Sequence, residues 1–246
     1  MRTVYLGTSD FAADVLRTLA GSAHRPALVV TRPDRPRGRG RRMAAPPVAE
    51  AARELGLDVA QPADVNGDDA LQRIAAAQPV AVCVCAFGAL IREPLLSAYE
   101  LLNVHPSLLP RWRGAAPIER AIMASDQETG VSIMRLTEGL DSGPVSLRAT
   151  EPIAPGDTFG SLSARLAQVG GELLVAALDE PPAYAAQREE GVTYAEKIEP
   201  TDRLLSPARP ADELERVVRA LHPHVGARVA LPGGELLGVR AAAVAG

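Results

Sequence analysis

Short apolar runs alternate with amphipathic segments along the first 180 residues of the chain. The apolar runs predict strands at 3–7, 26–31, 58–62, 79–87, 101–106 and 131–137. The segments between them carry apolar residues three and four positions apart, and they predict helices at 11–20, 48–56, 67–77, 116–124 and 159–180. Because strands alternate with helices, the pattern predicts an α/β fold with right-handed βαβ crossovers and a mainly parallel sheet.

The pattern changes after residue 180. The segment 181–205 is rich in proline and charge, and it predicts a linker. A helix is expected at 211–223, followed by a β-hairpin with Pro232-Gly233-Gly234 as its turn. One helix and one hairpin bury too little surface to be stable alone. We therefore expect a large domain at 1–180, a linker at 181–205, and at 206–246 the start of a small, incomplete β-rich domain.

The composition is that of an ordinary globular protein, with 47% hydrophobic and 23% charged residues. No apolar run approaches the roughly 20 residues needed to cross a bilayer, and the N-terminus does not have the form of a signal peptide. These features predict a cytoplasmic protein without a membrane partner. Cys83 and Cys85 lie two residues apart in an apolar strand, so they are interpreted as small core residues rather than metal ligands or a disulfide.

Two common nucleotide-binding motifs are missing from the sequence. The strand and helix around Gly7 lack the G-x-G-x-x-G fingerprint, and no G-x-x-x-x-G-K-[ST] motif occurs anywhere. Gly7 is interpreted instead as a tight turn that permits a close approach of a ligand or of neighbouring backbone.

One segment departs strongly from the overall charge. The net charge of −4 argues against a broadly basic nucleic-acid binder, yet residues 32–42 contain six arginines and one aspartate. Charge alone favours an exposed, mobile loop. Guanidinium groups also bind phosphates through paired hydrogen bonds, and the glycines at 38 and 40 would let the loop adapt to a ligand.

Candidate catalytic residues lie where the predicted strand at 101–106 ends. Asn103 and His105 are two residues apart and therefore point to the same face of the strand, and Pro106 ends it. Ligands of such sheets bind beyond the carboxyl ends of the strands. An asparagine amide can donate to a developing oxyanion, and a histidine exchanges protons near neutral pH. A buried pair with a purely structural role explains the same spacing equally well.

Asp141 is a third candidate. It lies in the glycine-flanked loop TEGLDSGPV after the strand at 131–137. A carboxylate near His105 would orient the imidazole ring and stabilise its protonated form. An aspartate in a turn is also common for structural reasons alone, and spacing does not decide between these interpretations.

Two long motifs surround these candidates. NVHPSLLPRWRGAAPIERAI, starting at Asn103, and ETGVSIMRLTEGLDSGPV, starting at Glu128, resemble the family of formyltransferases that use 10-formyltetrahydrofolate. The segments VYLGTSDFAADVL, TRPDRPRGRGRRMAAPPV and VTYAEKI extend the resemblance over nearly the whole chain.

The resemblance implies a doubly wound sheet of the Rossmann type in the first domain, a function and a set of site residues. It implies transfer of a formyl group from 10-formyltetrahydrofolate to the α-amino group of methionyl-tRNA, the initiator of translation, by a monomer that needs no metal. The catalytic residues would be Asn103, His105 and Asp141. The residues that bind the folate co-substrate would be Phe87, Gly88, Ala89, Leu90, Ile91, Ser107, Leu108, Leu109 and Pro110.

The resemblance also assigns the arginine-rich loop and the C-terminal region. The loop would meet the acceptor end of the tRNA through Arg35, Arg37, Arg39, Arg41 and Arg42. The C-terminal region would begin a barrel-like domain that helps to hold the tRNA, and here it stops early. A second departure is Pro144, which stands where many members carry an acidic residue.

Other interpretations remain open at this point. The chain would also fit a formyltransferase or hydrolase that acts on a small amine such as a nucleotide sugar, or on formyl-folate itself. A folate- or nucleotide-binding module that has lost its activity is a further alternative, although the intact set of Asn103, His105 and Asp141 argues against it. Trp112, the only tryptophan, is expected either to stack on a base or ligand or to pack in the core.

Overall fold

The computed structural model describes residues 1–37, 40 and 42–244. Its strands are β1 Thr3–Gly7, β2 Pro26–Val30, β3 Arg35–Arg37, β4 Arg42–Ala44, β5 Val59–Ala60, β6 Ala81–Cys85, β7 Glu100–His105, β8 Arg113–Gly114, β9 Glu128–Arg135, β10 Val145–Pro152, β11 Tyr194–Ala195, β12 Ala227–Ala230 and β13 Leu236–Val239. Its α-helices are α1 Asp10–Ala20, α2 Pro47–Glu54, α3 Asp68–Ala76, α4 Leu95–Ala98, α5 Pro117–Met123, α6 Phe159–Asp179 and α7 Ala211–Leu221.

Seven strands form the main sheet in the order β10-β9-β7-β6-β1-β2-β5. Strand β1 runs parallel to both β2 and β6, β6 runs parallel to β7, and β2 runs parallel to β5. Strand β9 is antiparallel to β7. The chain first builds the sheet from β1 towards β5 and then from β6 in the opposite direction, so the predicted doubly wound, mainly parallel α/β fold is confirmed. The order reverses between β1 and β6, and such a switch point opens a crevice beyond the strand ends.

Two compact units make up the described chain. The first contains Met1–His105, Val131–Ala149 and Ala167–Gln187, and the second contains Pro106–Gly130, Thr150–Leu166 and the residues from Arg188 onward. The domain boundaries expected at residues 180 and 205 remain a prediction. Among the described residues, no helix is both long and apolar enough to span a membrane.

The core of the first unit follows from the apolar runs. Every side chain of β1 and β6 is buried, and Val4, Leu6 and Val82 pack in one cluster with residues of β2 and α3. Cys83 and Cys85 are free, buried thiols, which confirms their interpretation as core residues. Burial raises the pKa of each thiol from 9.0 to about 12 because the thiolate cannot be hydrated there.

The turn between β1 and α1 is tight for a physical reason. Ser9 caps α1, and its hydroxyl accepts a hydrogen bond from the Ala12 amide. A β-carbon at Gly7 would lie 3.1 Å from the carbonyl oxygen of Cys85 and 2.7 Å from the ring of Tyr5. Neighbouring backbone therefore approaches Gly7 as expected, and no larger residue fits without movement.

The structure adds elements that the sequence pattern did not predict. The arginine-rich segment forms an antiparallel hairpin in which β3 pairs with β4, with Pro36 opposite Met43. This segment was expected from its charge to be a mobile loop. Part of the predicted linker also carries regular structure, because β11 pairs in parallel with β8 and a 3-10 turn spans Pro200–Arg203.

The C-terminal helix and hairpin are present as predicted. Strands β12 and β13 are antiparallel, with Val229 opposite Leu237. Buried side chains of α7, including Val217 and Leu221, pack in one cluster with Ala227 at the start of β12. This small cluster belongs to the second unit.

Candidate active site at the carboxyl edge of the sheet

Asn103 and His105 lie at the carboxyl end of β7, in the first unit. Both side chains are buried, with Asn103 8% and His105 4% exposed. Asn103 stands between Val84 of β6 and Met134 of β9, and His105 stands opposite Ser132. Since strand side chains alternate, the amide and the imidazole point to the same face, at the edge where ligands bind in this type of sheet.

Asp141 meets this pair from a separate loop. The Oδ2 atom of Asp141 lies 3.6 Å from Nδ1 of His105, and the two side chains are 18% and 5% exposed. This separation is longer than a hydrogen bond, and it places a carboxylate beside the imidazole ring in a site sheltered from water. The structure thus brings together the three residues that spacing alone could not join.

The loop that carries Asp141, residues 138–144, is called the aspartate loop below. The amide of Arg135 donates to the carbonyl oxygen of Pro144 over 2.9 Å. The side-chain amide of Gln187 donates to the carbonyl oxygens of Asp141 and Gly143, each over 2.8 Å. Asp141 itself has φ of 43°, a backbone conformation that residues other than glycine rarely adopt. The loop is therefore fixed by its neighbours, and Gln187 is a supporting residue that sequence reasoning missed.

Gly143 holds the aspartate loop against β9. A β-carbon at this position would overlap the carbonyl oxygen of Arg135 and lie 3.2 Å from the Cε of Met134. Only glycine permits this approach. The motif LDSGP therefore has a steric reason for its glycine, in addition to the carboxylate that it carries.

The segment Phe87–Ile91, predicted to bind the folate co-substrate, follows β6 in the first unit. Phe87 and Ile91 are buried in the apolar core, whereas the Leu90 side chain is 64% exposed. Gly88 has φ of 72°, and a β-carbon there would meet open space. The Thr8 hydroxyl donates to the carbonyl oxygen of Phe87 over 2.7 Å and ties this segment to the end of β1. The contact of this segment with folate remains a prediction.

The other predicted folate segment, Ser107–Pro110, belongs to the second unit. The Ser107 hydroxyl donates to the carbonyl oxygen of Arg111 over 2.6 Å, which closes a turn. Leu109 is buried, while Leu108 and Pro110 are half-buried. Their contact with folate remains a prediction.

Trp112 is held by polar contacts within the second unit. Its indole nitrogen donates to Asp126 over 2.8 Å, and the guanidinium of Arg111 lies 4.4 Å from the ring centre. Asp126 also binds Arg111 through two hydrogen bonds and raises the pKa of that guanidinium. The half-buried ring is thus held by the ion pair of Arg111 and Asp126.

The arginine hairpin, β3 and β4, carries some of the residues predicted to meet RNA. Arg35 and Arg42 are exposed, as phosphate-binding side chains need to be. The backbone of Arg37 pairs with that of Arg42, while Arg39 and Arg41 lie outside the described residues. Arg32, which precedes the hairpin, was not predicted as a site residue, yet its Nε is buried without a hydrogen-bond partner among the described residues.

Within residues 1–37, 40 and 42–244, no three histidine, cysteine, aspartate or glutamate side chains are grouped as metal ligands. The donor set at the strand edge, one amide, one imidazole and one carboxylate, suits proton transfer and oxyanion stabilisation without further assumptions.

Comparisons with known proteins agree with this geometry. The family model described as formyl transferase matches residues 1–178. A methionyl-tRNA formyltransferase of Halorhodospira halophila is 48% identical over 236 residues, which cover 94% of this chain and 76% of that protein.

Solved structures match over nearly the full length. The methionyl-tRNA formyltransferase of Clostridium thermocellum has a TM-score of 0.69 at 12% identity and 97% coverage of both chains. A 4-N formyltransferase of Francisella tularensis has a TM-score of 0.75 at 14% identity and covers 97% of this chain and 96% of its own. At these identities the likeness concerns the fold, which enzymes with different acceptor amines share.

Proposed function

This chain belongs to the formyl transferase family, and on that premise we propose that it transfers a formyl group from 10-formyltetrahydrofolate to the α-amino group of initiator methionyl-tRNA. The observation that carries the proposal is the meeting of Asn103, His105 and Asp141 at the carboxyl edge of the sheet. The choice of methionyl-tRNA as acceptor rests on the relatives, which resemble this chain at 48% and 45% identity over more than nine tenths of its length.

Each of the three residues has a defined task in the proposed reaction. The Asn103 amide donates a hydrogen bond to the formyl oxygen as negative charge develops there. His105 accepts a proton from the attacking amine, because a neutral imidazole is a suitable base near pH 7. Asp141, 3.6 Å from the ring, orients it and stabilises its protonated form.

The proposed step balances in atoms and charge. The amine nitrogen of the acceptor forms a bond to the formyl carbon, and the bond from that carbon to N10 of the folate breaks. The amine loses one proton to His105, and His105 returns this proton to N10 of the departing tetrahydrofolate. Burial of the amide and imidazole strengthens these interactions, since water competes less for them.

Binding of the two substrates is assigned to separate parts of the chain. We assign folate binding to Phe87–Ile91, where a β-carbon at Gly88 would meet open space, and, from the family resemblance, to Ser107–Pro110. The tRNA would be held by Arg35, Arg37, Arg39, Arg41 and Arg42, and by the C-terminal helix and hairpin. We place the reaction in the cytoplasm and expect a monomer that needs no metal.

A comparison of acceptors tests this proposal. Purified chain and 10-formyltetrahydrofolate are incubated separately with initiator methionyl-tRNA, free methionine and a nucleotide-linked sugar amine. We expect formylation of the tRNA alone, detected as acid-stable label or by mass spectrometry. Formylation of the sugar amine instead would reject the acceptor, and folate binding without transfer to any amine would reject the enzymatic activity.

The catalytic assignment is tested by removing one donor. Asn103→Ala should lower kcat by about 100- to 1,000-fold, the usual effect of losing an oxyanion donor. Gln168→Ala, which removes an exposed amide from α6, is the matched control and should leave kcat unchanged. Near-normal turnover by Asn103→Ala at saturating substrates would contradict the assignment.

A further inference from the structure

A short segment after α6, residues 184–187, lies along β10, the edge strand of the main sheet, and is called the strap below. All of it belongs to the first unit. The backbone of Ala185 exchanges two hydrogen bonds with that of Val145, each over 2.9 Å. Two residues later, the Gln187 side chain donates to two carbonyl oxygens of the aspartate loop. A segment predicted as part of a linker therefore contacts the loop that carries a proposed catalytic residue.

The backbone of Asp141 needs this support because it is strained. Its φ of 43° is positive, and a residue other than glycine keeps such a conformation only where the surrounding structure holds it. The Asp141 carboxylate lies 3.6 Å from the ring of His105. A relaxation of about 1 Å would already lower the rate severely. The contacts that hold the Asp141 backbone therefore bear directly on the proposed reaction.

The hydrogen bonds of the strap are not enough to hold it in place. Fixing the backbone of one residue costs at least as much free energy as one hydrogen bond returns. The ordering of four residues is thus only offset by the four hydrogen bonds given above. Ala185 and Ala186 are exposed and add little packing. The half-buried ring of Tyr184, the one large apolar group among the four residues, must supply the rest.

Tyr184 is anchored by two charged side chains of the sheet. The guanidinium carbon of Arg135, at the end of β9, lies 4.4 Å from the centre of the Tyr184 ring, which is a cation–π contact. The same guanidinium donates to Oε1 of Glu100, at the start of β7, over 3.1 Å. Burial, followed by the charge of the nearby Glu100 carboxylate, raises the pKa of Tyr184 to about 12. The ring is thus enclosed against the sheet and fixed by a cation.

Arg135 also contacts the aspartate loop through its backbone. Its amide donates to the carbonyl oxygen of Pro144 over 2.9 Å. Its own carbonyl oxygen is the atom that a β-carbon at Gly143 would overlap. Arg135 is held in turn by its pairing with Leu102 of β7. The aspartate loop is therefore held twice by one residue, directly by the Arg135 backbone and through the strap by the Arg135 side chain.

We propose that Tyr184 and Arg135 are positioning residues for formyl transfer. Together with Gln187 they keep the carboxylate of Asp141 beside His105. Tyr184 and Arg135 act through the aspartate loop, without contact with a substrate or with the reacting atoms. This inference rests on the proposed function, because formylation of methionyl-tRNA is the reaction whose rate the two residues would set.

Removal of the ring, and its restoration by a related residue, provide the first test. Tyr184→Ala deletes the ring and should lower kcat for methionyl-tRNA by about tenfold, since the aspartate loop would relax by part of 1 Å. The KM of each substrate should stay within about twofold of wild type, because the strap belongs to neither proposed binding segment. Tyr184→Phe keeps the ring over the guanidinium and should restore kcat to within about twofold. A role in folding alone would not separate kcat from KM in this way.

A double variant tests whether the ring acts through Gln187. If Tyr184 holds the strap in order to present Gln187, removing both side chains should cost about as much kcat as removing either one, about tenfold. Effects of independent origin would instead multiply to about 100-fold. The comparison uses Tyr184→Ala, Gln187→Ala and the combined variant, with single-turnover formylation of methionyl-tRNA as the measurement.

A second variant tests the anchor without touching the strap. Arg135→Ala removes the cation over the ring and leaves the backbone contacts of residue 135 in place. It should lower kcat by about threefold, the equivalent of an exposed cation–π contact. Arg17→Ala on α1 is the matched control and should leave kcat unchanged. The side chains of Arg17 and Arg135 are 47% and 48% exposed, and each pairs with a glutamate.

The outcomes separate this inference from the proposed function. Absence of transfer by the wild-type chain would reject the proposed function and the inference with it. With an active wild-type chain, the inference is overturned if Tyr184→Ala keeps the wild-type kcat, if it raises a KM instead, or if Tyr184→Phe is equally slow. Multiplied losses in the double variant overturn it as well. If Tyr184→Ala fails to fold, Arg135→Ala decides: a kcat equal to that of Arg17→Ala overturns the inference, and slower turnover at unchanged KM supports it.

Discussion

Gly143→Ala tests whether the position of the aspartate loop controls catalysis. The new methyl group would overlap the carbonyl oxygen of Arg135, with the carbon of the same carbonyl only 3.1 Å away. The new β-carbon is fixed to the loop backbone and its partner is a backbone oxygen, and Arg135 is held in β9 by its pairing with Leu102 of β7. The overlap is therefore relieved by moving the aspartate loop rather than by rotating a side chain.

The size of the overlap sets the expected loss of kcat. Clearing the overlap requires a shift of about 1 Å, and a misplacement of that size costs on the order of 100-fold in rate. Asp141 would move away from His105, to which it now lies at 3.6 Å. We expect kcat for methionyl-tRNA to fall by about 100-fold, while the circular dichroism spectrum and the KM for 10-formyltetrahydrofolate stay close to wild type.

A neighbouring glycine gives the control. The only overlap of a β-carbon at Gly139 would be with the Oγ of Ser142, the end of a side chain that can rotate away. Gly139→Ala should therefore keep kcat within about threefold of wild type. The measurement is single-turnover formylation of methionyl-tRNA by the two variants side by side. If Gly143→Ala reacts as fast as Gly139→Ala, the placement of Asp141 does not limit the reaction.

Three further predictions follow from other contacts. Gln187→Ala removes two hydrogen bonds to the aspartate loop and should lower kcat about tenfold without a change in oligomeric state, as kinetics and light scattering would reveal. The thiols of Cys83 and Cys85 keep their protons more tightly in the folded chain, with pKa values of about 12 against 9.0 when unfolded. Their stabilising effect is thus complete below pH 9 and is lost as the pH rises towards 12. The denaturant concentration at the unfolding midpoint should therefore fall between pH 9 and pH 12. It should fall less steeply for Cys83→Ala than for the wild-type chain. Hydrogen bonds from Arg165 lower the pKa of Asp157 to about 2, so its stabilising effect is present above pH 3.8 and is lost as the pH falls towards 2. Asp157→Asn should cost about 1 to 2 kcal/mol at pH 7, allowing for solvent screening of the partly exposed Arg165, and an unchanged thermal midpoint would contradict this.

The sheet could be predicted from the sequence because burial and local periodicity coincide in it. Strands such as β1 and β6 are buried throughout and almost entirely apolar, since both faces of a doubly wound sheet are covered. The arginine hairpin was not predicted for the opposite reason. Its strands are three residues long, charged and interrupted by Pro36, so the pattern that marks a buried strand is missing.

The candidate site was only partly accessible to sequence reasoning. Asn103 and His105 could be paired because residues two positions apart on one strand point to the same face. Asp141 was joined to them through the family resemblance, since the loop conformation that brings it near depends on Gly143 and on the distant Gln187. Contacts between residues 44 to 46 positions apart leave no local periodicity to read.

The interleaving of the two units has a consequence for how the chain is made. The backbone passes from one unit to the other at residues 105/106, 130/131, 149/150, 166/167 and 187/188, and the last residues of α6 belong to a different unit from its first. On the ribosome, the unit with the catalytic residues cannot be completed until Gln187 has emerged. No single cut of the chain releases either unit intact, so limited proteolysis should yield fragments that separate only under denaturing conditions. Because neither unit is contiguous in the sequence, exchanging one long segment to obtain a new specificity would alter both units.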